Sequence, residues 1–497
     1  MRNMLEALER TAMRVPDRIA FYNDQESLTF AQLLQTAQRI GMWLAMCAQP
    51  KRAVAILMDA RSIHNIPAIY GVLYAGCAYA LLDISMPAER LQQQLSLLSP
   101  IAILADEKGR AALDPNSSWG IRMIEYEDAA RAKVHKRVLE AIRAGSEPDD
   151  PMSILYTSGS TGVPKGSVQT HSAYIRWTEA TINVYGLTEE TVFGNQSPFF
   201  YANSILDIFP PVALGATVYL LPSGILTFPK KLIACLNEHH ITELCMTPSS
   251  FIKIVQAGVL TDGCLPELKW GIMSGESMPW KPLEKWMMAS PNASWWHFYG
   301  STEMFSVAVG KVDAVEQQED RLPVGRLFDG VRVLFLDENG DETSPEQPGE
   351  MYVSSPWVSS GYYRDEARTA ESFVQFEQGR FYRSGDMGYM RPDGQLVVLG
   401  RKDNQIKHMG YRMELGEVET ALRRIPGWSD GCVLFHRESG RIFCFFTGSL
   451  AEKEIRRALR DHLARYMVPD VFIHLNELPY TSSMKLDRSA LMRMMAQ

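Results

Sequence analysis

The sequence lacks cysteine pairs, long apolar runs and an excess of positive charge, and each absence excludes a class of protein. Its seven cysteines are scattered without a CxxC pair, which argues against a disulfide framework or a clustered metal site and favours reduced, buried thiols. The longest uncharged stretch, residues 66–82, is shorter than the ~20 residues of a membrane span, and the first residues contain no apolar signal segment. We therefore expect a cytoplasmic protein.

Length and charge narrow the class further. A chain of 497 residues is longer than one hydrophobic core usually serves, so we expect at least two domains. The net charge of -8 argues against a general nucleic-acid binder, which normally carries a basic face. The hydrophobic content of 46% is ordinary for a soluble globular protein.

The hydrophobic pattern indicates a mixed α/β fold. From about residue 50 to 310, buried-strand runs such as RAVAILMD and ATVYLLP alternate with amphipathic segments, a pattern typical of parallel sheets with crossover helices. After about residue 320, VRVLFLDENGD and YMRPDGQLVVLGRKD each place an NG or DG turn between apolar runs, which predicts short hairpin strands. Helix and strand signals from residue 403 onward predict a compact α+β tail.

A run of glycines and hydroxyl residues, TSGSTGVPKG at residues 157–166, follows an apolar strand pattern. Glycines let the backbone approach a ligand and present N–H groups, and the hydroxyls add donors, so the loop suits a polyphosphate. The order is not that of a Walker A loop, because Lys165 is followed by glycine rather than by a Ser or Thr that would hold magnesium. Taken alone, the run fits a flexible Ser/Gly turn equally well.

Further segments resemble, in order along the chain, the motifs of the adenylate-forming enzymes. This family includes acyl-CoA synthetases, luciferases and nonribosomal-peptide adenylation domains, and YTSGSTGVPKG is similar to its phosphate loop. The other matching segments are YAGCAYALLDISMPAERL (74–91), FYGSTE (298–303), PGEMYVSS (348–355), YRSGDMG (382–388), GRKDNQIKHMGYRMELGEVE (400–419), YMVP (466–469) and LPYTSSMKLDR (478–488). The resemblance covers nearly the whole chain and is strongest to stand-alone adenylation domains and D-alanine–carrier-protein ligases.

The resemblance implies a reaction in two steps and a division into two domains. A carboxylate and ATP would give acyl-AMP and pyrophosphate, and the acyl group would then pass to a thiol. A large N-terminal adenylation domain of layered α/β sheets with a β-rich subdomain would span residues 1–402. A small mobile α+β domain, residues 403–497, would rotate about a hinge at Asp403. In the second state, Gly410 would let the acceptor's pantetheine arm approach the backbone.

The resemblance also implies a nucleotide site. Tyr299 would stack on adenine, Asp386 would accept hydrogen bonds from both ribose hydroxyls, and Arg401 would assist at the ribose or phosphate. The implied nucleotide-binding residues are together Thr157, Ser158, Gly159, Ser160, Thr161, Gly162, Lys165, Tyr299, Asp386 and Arg401.

The catalytic groups implied by the resemblance supply positive charge where an anion attacks an anionic phosphate. Thr302 would bond the α-phosphate, and Glu303 would hold Mg²⁺ between phosphate oxygens. Lys485 would bridge the substrate carboxylate, the α-phosphate and the ribose. The family more often has asparagine and glycine before this lysine, whereas Ser483 and Met484 stand there in this chain.

The acceptor is expected to be a carrier protein. GYRMELGEVE resembles enzymes that load a carrier's phosphopantetheine, whereas acyl-CoA synthetases more often end this motif with V-x-P-x-E. The chain stops soon after the Lys485 segment with no carrier domain attached, which favours a free-standing ligase acting on a separate carrier protein. CoA is the second choice.

The acid is less well defined. Amino-acid-activating relatives have an aspartate at the start of the pocket helix, and Ala202 stands at that position. An ammonium buried without a carboxylate partner would cost several kcal/mol. The residues that would face the pocket by resemblance are uncharged: Ala202, Asn203, Leu206, Cys245, Ile272, Ser274, Phe298 and Ser306.

Two interpretations follow from this pocket. In the preferred one, the substrate has no α-amine and is a short aliphatic, hydroxy or aryl acid. In the other, it is a β-amino or otherwise unusual amino acid whose amine meets a carboxylate elsewhere, such as Asp207 or Glu276. Asp207 lies about a turn and a half beyond Ala202 along the same helix, so we expect it to face elsewhere.

Two other functions compete with the ligase. An amide synthetase would use an amine rather than a thiol to attack the acyl-AMP. A nucleotide-binding scaffold without chemistry would be expected to have lost Lys485, Glu303 or Asp386, and all three are present.

Overall fold

The computed structural model describes residues 1–47, 49–113, 120–157, 163–276, 278–312, 322–402, 405–436, 439–479 and 486–495. The chain divides into two compact units, of which the larger comprises Met1–Ile84, Leu95–Tyr156 and Gly166–Gly400. The smaller unit comprises Ser85–Gln94, Thr157–Lys165 and Arg401–Gln497. It therefore includes two short segments that the sequence analysis assigned to the N-terminal domain.

The helices are numbered in chain order. They are α1 (Leu5–Arg14), α2 (Phe30–Ala45), α3 (Asn65–Tyr74), α4 (Ala88–Leu98), α5 (Glu107–Ala111), α6 (Tyr126–Ala129), α7 (Lys136–Ala144), α8 (His171–Tyr185), α9 (Phe209–Leu214), α10 (Pro229–Glu238), α11 (Pro248–Gln256), α12 (Trp280–Ala289), α13 (Glu366–Ser372), α14 (Leu415–Arg423), α15 (Glu452–His462) and α16 (Arg488–Met495). Short 3₁₀ turns cover Ala202–Asp207, Ile225–Thr227 and Arg465–Met467.

The strands are numbered in the same way. They are β1 (Ile19–Tyr22), β2 (Ser27–Thr29), β3 (Ala53–Leu57), β4 (Ala78–Leu81), β5 (Ala102–Ala105), β6 (Arg122–Glu125), β7 (Pro151–Thr157), β8 (Lys165–Thr170), β9 (Val192–Asn195), β10 (Thr217–Leu220), β11 (Glu243–Met246), β12 (Trp270–Ser274), β13 (Ser294–Ser301), β14 (Phe305–Lys311), β15 (Arg326–Leu327), β16 (Arg332–Leu336), β17 (Gly349–Ser354), β18 (Gly361–Tyr362), β19 (Phe373–Phe376), β20 (Gly379–Met390), β21 (Leu396–Arg401), β22 (Gln405–His408), β23 (Tyr411–Glu414), β24 (Asp430–His436), β25 (Arg441–Thr447) and β26 (Val471–His474).

Two large sheets form the N-terminal part of the chain, as the alternating pattern predicted. One has the strand order β15-β14-β13-β12-β11-β9-β10-β1-β2, and the other has the order β18-β8-β7-β4-β3-β5-β6. Their central strands are parallel, and β3, β4 and β5 are buried along their whole length. Parallel strands with both faces covered need continuous apolar runs, which is what RAVAILMD and its counterparts supply. The predicted mixed α/β fold is confirmed.

The nine-stranded sheet has an apolar cluster on each face. Along β11, Cys245 packs into the larger cluster, while Leu244 and Met246 pack into a second cluster around Trp286 and Trp295. Alternate residues of a strand point to opposite faces, so β11 is buried from both sides. Any polar side chain on this strand therefore lies in the interior of the larger unit.

The predicted hairpin turns lie in a third, antiparallel sheet of the larger unit. Its order is β16-β17-β20-β19, with β21 paired to β20. Between β20 and β21, the Arg391 N–H donates to the Gln395 carbonyl at 2.8 Å, and Gly394 has φ 81°. This is the DG turn that the sequence predicted, and it places β21 directly beside the strand that carries Asp386.

The smaller unit has its own core. A three-stranded sheet, β24-β25-β26, and the helices α14 and α15 share a cluster that includes Val418, Cys444, Ile455 and Leu459. All seven cysteines of the chain are free thiols, and most are buried. None of the described helices combines the length and the apolar character that a membrane crossing requires.

Candidate active site

The structure brings two predicted nucleotide residues together. Tyr299 on β13 donates a hydrogen bond from its hydroxyl to Oδ2 of Asp386 on β20, at 2.5 Å. The Asp386 N–H donates to Oγ of Ser384 at 3.0 Å, and the Ser384 hydroxyl donates to the Met351 carbonyl at 2.7 Å. Hydrogen bonds to both the side chain and the backbone of Asp386 therefore fix the carboxylate that is predicted to bind ribose.

Thr302 and Glu303 occupy the turn between β13 and β14. The Glu303 side chain is fully buried, and its Oε1 accepts a hydrogen bond from the Tyr362 hydroxyl at 2.9 Å. The Glu303 carbonyl accepts from the Ser359 N–H at 2.7 Å, and the Thr302 carbonyl accepts from Nε2 of Gln169 at 3.0 Å. Gln169 of β8 and Ser359, which precedes β18, therefore fix this acidic turn through its backbone.

The donor set at this turn fits Mg²⁺. Magnesium prefers oxygen ligands and is usually bound by one or two carboxylates together with substrate phosphates. Glu303 supplies one buried carboxylate, and the described part of the chain contains no cluster of three or more His, Cys, Asp or Glu side chains suited to another metal. A role for Glu303 in holding the ion fits this chemistry and stays a prediction from the resemblance.

The predicted phosphate loop joins two neighbouring strands. β7 ends at Thr157 and β8 begins at Lys165, and the two strands are adjacent in their sheet. The Thr157 hydroxyl oxygen is buried and has no hydrogen-bond partner among the described residues, as expected of a group that would face a phosphate. The rest of the predicted loop lies outside the described residues: Ser158, Gly159, Ser160, Thr161 and Gly162.

Of the remaining predicted catalytic and nucleotide residues, Arg401 ends β21. Lys485 and the predicted hinge residue Asp403 lie outside the described residues. Their roles therefore stay predictions from the resemblance.

Gly410 lies in a two-residue hairpin turn of the smaller unit. Met409 and Gly410 connect β22 and β23 with φ values of 52° and 84°. Positive φ at both central residues matches the twist of the flanking strands, and glycine adopts it without a steric penalty. Beside the turn, Tyr411 stacks on Tyr466 with ring centroids 4.1 Å apart. The loop predicted to line the thiol tunnel is a tight turn, with Met409 exposed.

The predicted pocket residues lie in the larger unit on neighbouring strands and on the 3₁₀ turn Ala202–Asp207. Cys245 pairs in register with Ile272, and one row towards the carboxyl ends of the strands Ser274 pairs with Phe298. Nδ2 of Asn203 donates to Oγ of Ser274 at 2.9 Å, and the Ser274 hydroxyl is 3.1 Å from Oδ1 of Asn203. These two polar side chains thus satisfy each other.

Two other predicted pocket residues have defined surroundings. Leu206 is buried and lies three residues after Asn203, so the two side chains share a face of the 3₁₀ turn. Ser306 accepts a hydrogen bond at Oγ from Nε1 of Trp177 at 2.7 Å. The Ser306 hydroxyl is therefore already engaged by a buried tryptophan.

The structure also places the two carboxylates that were considered as amine partners. Asp207 is 1% exposed, and its Oδ2 accepts a hydrogen bond from Nδ2 of Asn195 at 2.8 Å. Glu276 accepts a hydrogen bond at Oε2 from the Ser249 N–H at 2.9 Å. A third carboxylate, Glu243, is fully buried on β11 and was not among the predicted site residues. The signal for it was a single acidic residue within the apolar run ITELCM.

Comparison with known proteins assigns the class. Residues 8–363 match the model of the family described as AMP-binding enzyme. Because this match covers more than half of the chain, the protein belongs to that family. It is an adenylating ligase, and adenylate-forming enzymes use ATP.

Individual relatives resemble the chain over its whole length. It is 29% identical over 510 residues to the D-alanine–D-alanyl carrier protein ligase of Bacillus cytotoxicus, covering 98% of this chain and 99% of the relative. It superposes on holo-PA1221, a nonribosomal peptide synthetase protein containing adenylation and PCP domains, with a TM-score of 0.83 and 26% identity, covering 99% of this chain and 84% of that one. The Vibrio cholerae adenylation domain AlmE, solved with glycyl-adenosine-5'-phosphate, shares the fold, with a TM-score of 0.85, 20% identity and coverage of 100% and 98%.

Proposed function

We propose that this enzyme activates a carboxylic acid without an α-amine as its acyl-AMP, with release of pyrophosphate. The acyl group is then transferred to the phosphopantetheine thiol of a separate carrier protein. The observation that carries the substrate class is the start of the 3₁₀ turn, where Ala202 replaces the aspartate of amino-acid-activating relatives.

The surroundings of Ala202 support an acid without an α-amine. The side-chain amide of the neighbouring Asn203 donates a hydrogen bond to Ser274, and the Ser306 hydroxyl oxygen accepts one from Trp177. An α-ammonium at this position would therefore meet a methyl group and already paired polar groups. Because an uncompensated buried charge costs several kcal/mol, this arrangement disfavours ordinary α-amino acids.

In the first step, the substrate carboxylate attacks the α-phosphate of ATP. Asp386, held by Tyr299, would orient the ribose, and Glu303 would hold the Mg²⁺ that neutralises phosphate charge. Thr302 and Lys485 would stabilise the charge that develops at the α-phosphate. Such preplaced groups are the main source of rate acceleration when one anion attacks another.

Two relatives support the carrier protein as acceptor. The B. cytotoxicus relative is a ligase of a D-alanyl carrier protein, and PA1221 contains both adenylation and PCP domains. The tight turn at Met409–Gly410 has no side chain at its second position, which suits the passage of a pantetheine arm.

ATP–pyrophosphate exchange with a panel of α-amino, β-amino, aryl and short aliphatic acids tests the first step. We expect exchange with acids that lack an α-amine and little exchange with α-amino acids. Strong exchange with an α-amino acid would mean that another group holds the amine, and the proposed substrate class would be wrong.

The acceptor requires a separate experiment. After adenylation of the preferred acid, holo carrier protein, CoA and hydroxylamine are offered in parallel, and the product is identified by mass. Acylated carrier is the expected product. Faster formation of acyl-CoA would make the protein an acyl-CoA ligase, and amide formation without any thioester would make it an amide synthetase.

A further inference from the structure

A second polar cluster lies next to the predicted pocket residues in the larger unit. It consists of Asp207, Glu243 and Asn195, each no more than 1% exposed. Asn195 donates to Oδ2 of Asp207, but Oδ1 of Asp207, Oδ1 of Asn195 and both carboxyl oxygens of Glu243 have no hydrogen-bond partner among the described residues. We call these three residues the carboxyl cluster.

The register of the sheet places this cluster beside the residues predicted to line the acyl pocket, towards the amino ends of β11 and β12. Glu243 and Cys245 are two residues apart on β11, so their side chains point to the same face. Glu243 pairs with Trp270, and this pair lies two residues before the pair of Cys245 and Ile272 along the two strands. Asp207 ends the 3₁₀ turn that begins at Ala202 and packs over this face. The cluster is therefore the polar end of the line of residues predicted to surround the acyl chain.

The unpartnered atoms share one chemical property. Three are carboxyl oxygens and one is an amide carbonyl oxygen, and when the carboxyl groups are ionised all four only accept hydrogen bonds. Buried polar atoms in native proteins are almost always paired, and an ionised carboxylate without a partner is especially costly. Four neighbouring acceptors with one amide donor among them fit a ligand that brings donors and positive charge. A primary ammonium, with three N–H donors, has this chemistry.

Burial has a measurable consequence for the two acids. It raises the pKa of Asp207 to about 7. The hydrogen bond from Asn195 and the charge of Arg61 lower this pKa and offset part of the effect of burial. Burial, followed by the negative charge of Asp207, also holds the pKa of Glu243 well above its usual range. Burial is therefore the largest influence on both carboxyl groups, and the charge of Arg61 offsets it in part at Asp207.

We propose that the acid activated by this enzyme carries a distal ammonium group, which binds between Asp207 and Glu243 at the deep end of the acyl pocket. This inference rests on the proposed adenylation of an acid without an α-amine, and it names the class of that acid.

The strand geometry sets the length of such a substrate. From the row of Ser274 to the row of Glu243 is four residues along the sheet, or about 13 Å. The Glu243 side chain takes up part of this span. The distance fits ω-amino acids with roughly four or five methylene groups rather than β-amino acids.

Matched acids test the inference in the whole protein. The exchange reaction is run with 5-aminopentanoate and 6-aminohexanoate against pentanoate and hexanoate, which are similar in length but lack the ammonium. We expect kcat/KM to be at least about tenfold higher for the amino acids, the value of one charge-assisted hydrogen bond.

Variants separate the cluster from other carboxylates. Glu243→Gln and Asp207→Asn keep the shape of the side chains, and each is expected to remove most of the preference for the ammonium while leaving exchange with hexanoate unchanged within a factor of about three. Glu276→Gln, whose carboxylate lies elsewhere on the Ser249 N–H, serves as the comparison and is expected to keep the preference. Thermal unfolding of each variant checks that it is folded.

The outcomes distinguish this inference from the proposed function. If the wild type prefers pentanoate and hexanoate, or if Glu243→Gln keeps the ammonium preference, the carboxyl cluster is a structural pair and the inference is wrong, although the adenylation of acids without an α-amine stands. If the preference is lost in Glu276→Gln instead, the ammonium binds there and the inference is equally wrong. Exchange with α-amino acids alone would overturn both proposals.

Discussion

Tyr299 and Asp386 are joined by a hydrogen bond although they belong to different sheets, the tyrosine to the nine-stranded sheet and the aspartate to the antiparallel one. The tyrosine is 6% exposed, so the bond lies at the edge of the interior. The carboxylate predicted to bind ribose is therefore positioned by the residue predicted to contact the adenine.

This hydrogen bond predicts unequal effects of two substitutions. Asp386→Ala removes both acceptors for the ribose and should raise KM for ATP by at least about tenfold, as expected for lost hydrogen bonds to a charged group. Tyr299→Phe keeps the ring and removes only the bond to Asp386, so we expect a rise of about threefold to tenfold, near 1 kcal/mol. Both are measured by pyrophosphate exchange at varied ATP. Equal losses in the two variants would mean that the tyrosine hydroxyl itself contacts the nucleotide.

The turn at Gly410 leads to a prediction about the second step. Gly410→Leu places a bulky side chain at a φ of 84° in the predicted thiol tunnel, and we expect adenylation within a factor of about three of wild type while carrier loading falls by at least a hundredfold. Pyrophosphate exchange and loading of holo carrier are measured separately. Because this φ is strained for any L side chain, some loss of stability is expected as well.

A matched glycine controls for that strain. Gly440 has φ 64° in the same unit and no neighbouring atom within 4 Å of the position its Cβ would occupy. Gly440→Leu should therefore cost a similar backbone strain and leave both half-reactions intact. Equal loss of both half-reactions in Gly410→Leu would contradict the tunnel, since a blocked tunnel affects only the thiol step.

Much of the architecture was predictable because it depends on local signals. The parallel sheets follow from alternating apolar and amphipathic segments, and the turn before β21 follows from one DG pair. The acidic turn at Glu303 was identified by motif, and the structure adds the contacts of Tyr362 and Ser359, which lie far along the chain. Such partners depend on long-range packing and have no local signature.

The carboxyl cluster shows where sequence reasoning stops. Asp207 was expected to face away from the pocket on the assumption of a helix, and its segment is a 3₁₀ turn with 3 residues per turn. That expectation stays a prediction. Glu243 was not among the predicted site residues, and its sequence signal is one acidic residue within an apolar run. Only the two-sided burial of β11 shows that this carboxylate lies in the interior.

Lys485 is predicted to be the cation at the reacting centre. Lys485→Ala should lower the rate of pyrophosphate exchange by at least about a hundredfold, the loss typical of one electrostatic group in a transition state. ATP binding, measured by calorimetry, and thermal unfolding should stay near the wild-type values. Lys453, an exposed lysine at the start of α15, provides the comparison, and Lys453→Ala is expected to have no effect. Exchange near the wild-type rate in Lys485→Ala would remove the lysine from the mechanism.

The raised pKa values of the carboxyl cluster predict a pH dependence of stability. Burial raises the pKa of Asp207 from its ordinary 3.8 to about 7, so the folded state binds more protons than the unfolded state between these values. The free energy of unfolding therefore falls as the pH rises through this window. Glu243 acts in the same direction, and its side chain is accompanied by Cys245 and Tyr185, whose own pKa values burial also raises.

The buried imidazole of His171 changes the stability in the opposite direction with pH. The quantity to measure is therefore the difference in unfolding free energy between wild type and a variant. Burial lowers the pKa of His171 to about 4, which makes the protein lose stability as the pH falls from 6.5 towards 4. Chemical unfolding of wild type and Glu243→Gln at several pH values between 4 and 8 cancels the His171 contribution. Because glutamine cannot ionise, the variant should gain stability relative to wild type as the pH rises. Stability curves of wild type and Glu243→Gln that run parallel with pH would show that Glu243 does not change its protonation on unfolding. If bound 6-aminohexanoate reduces the stability difference between the two proteins at pH 8, the ammonium lies beside Glu243.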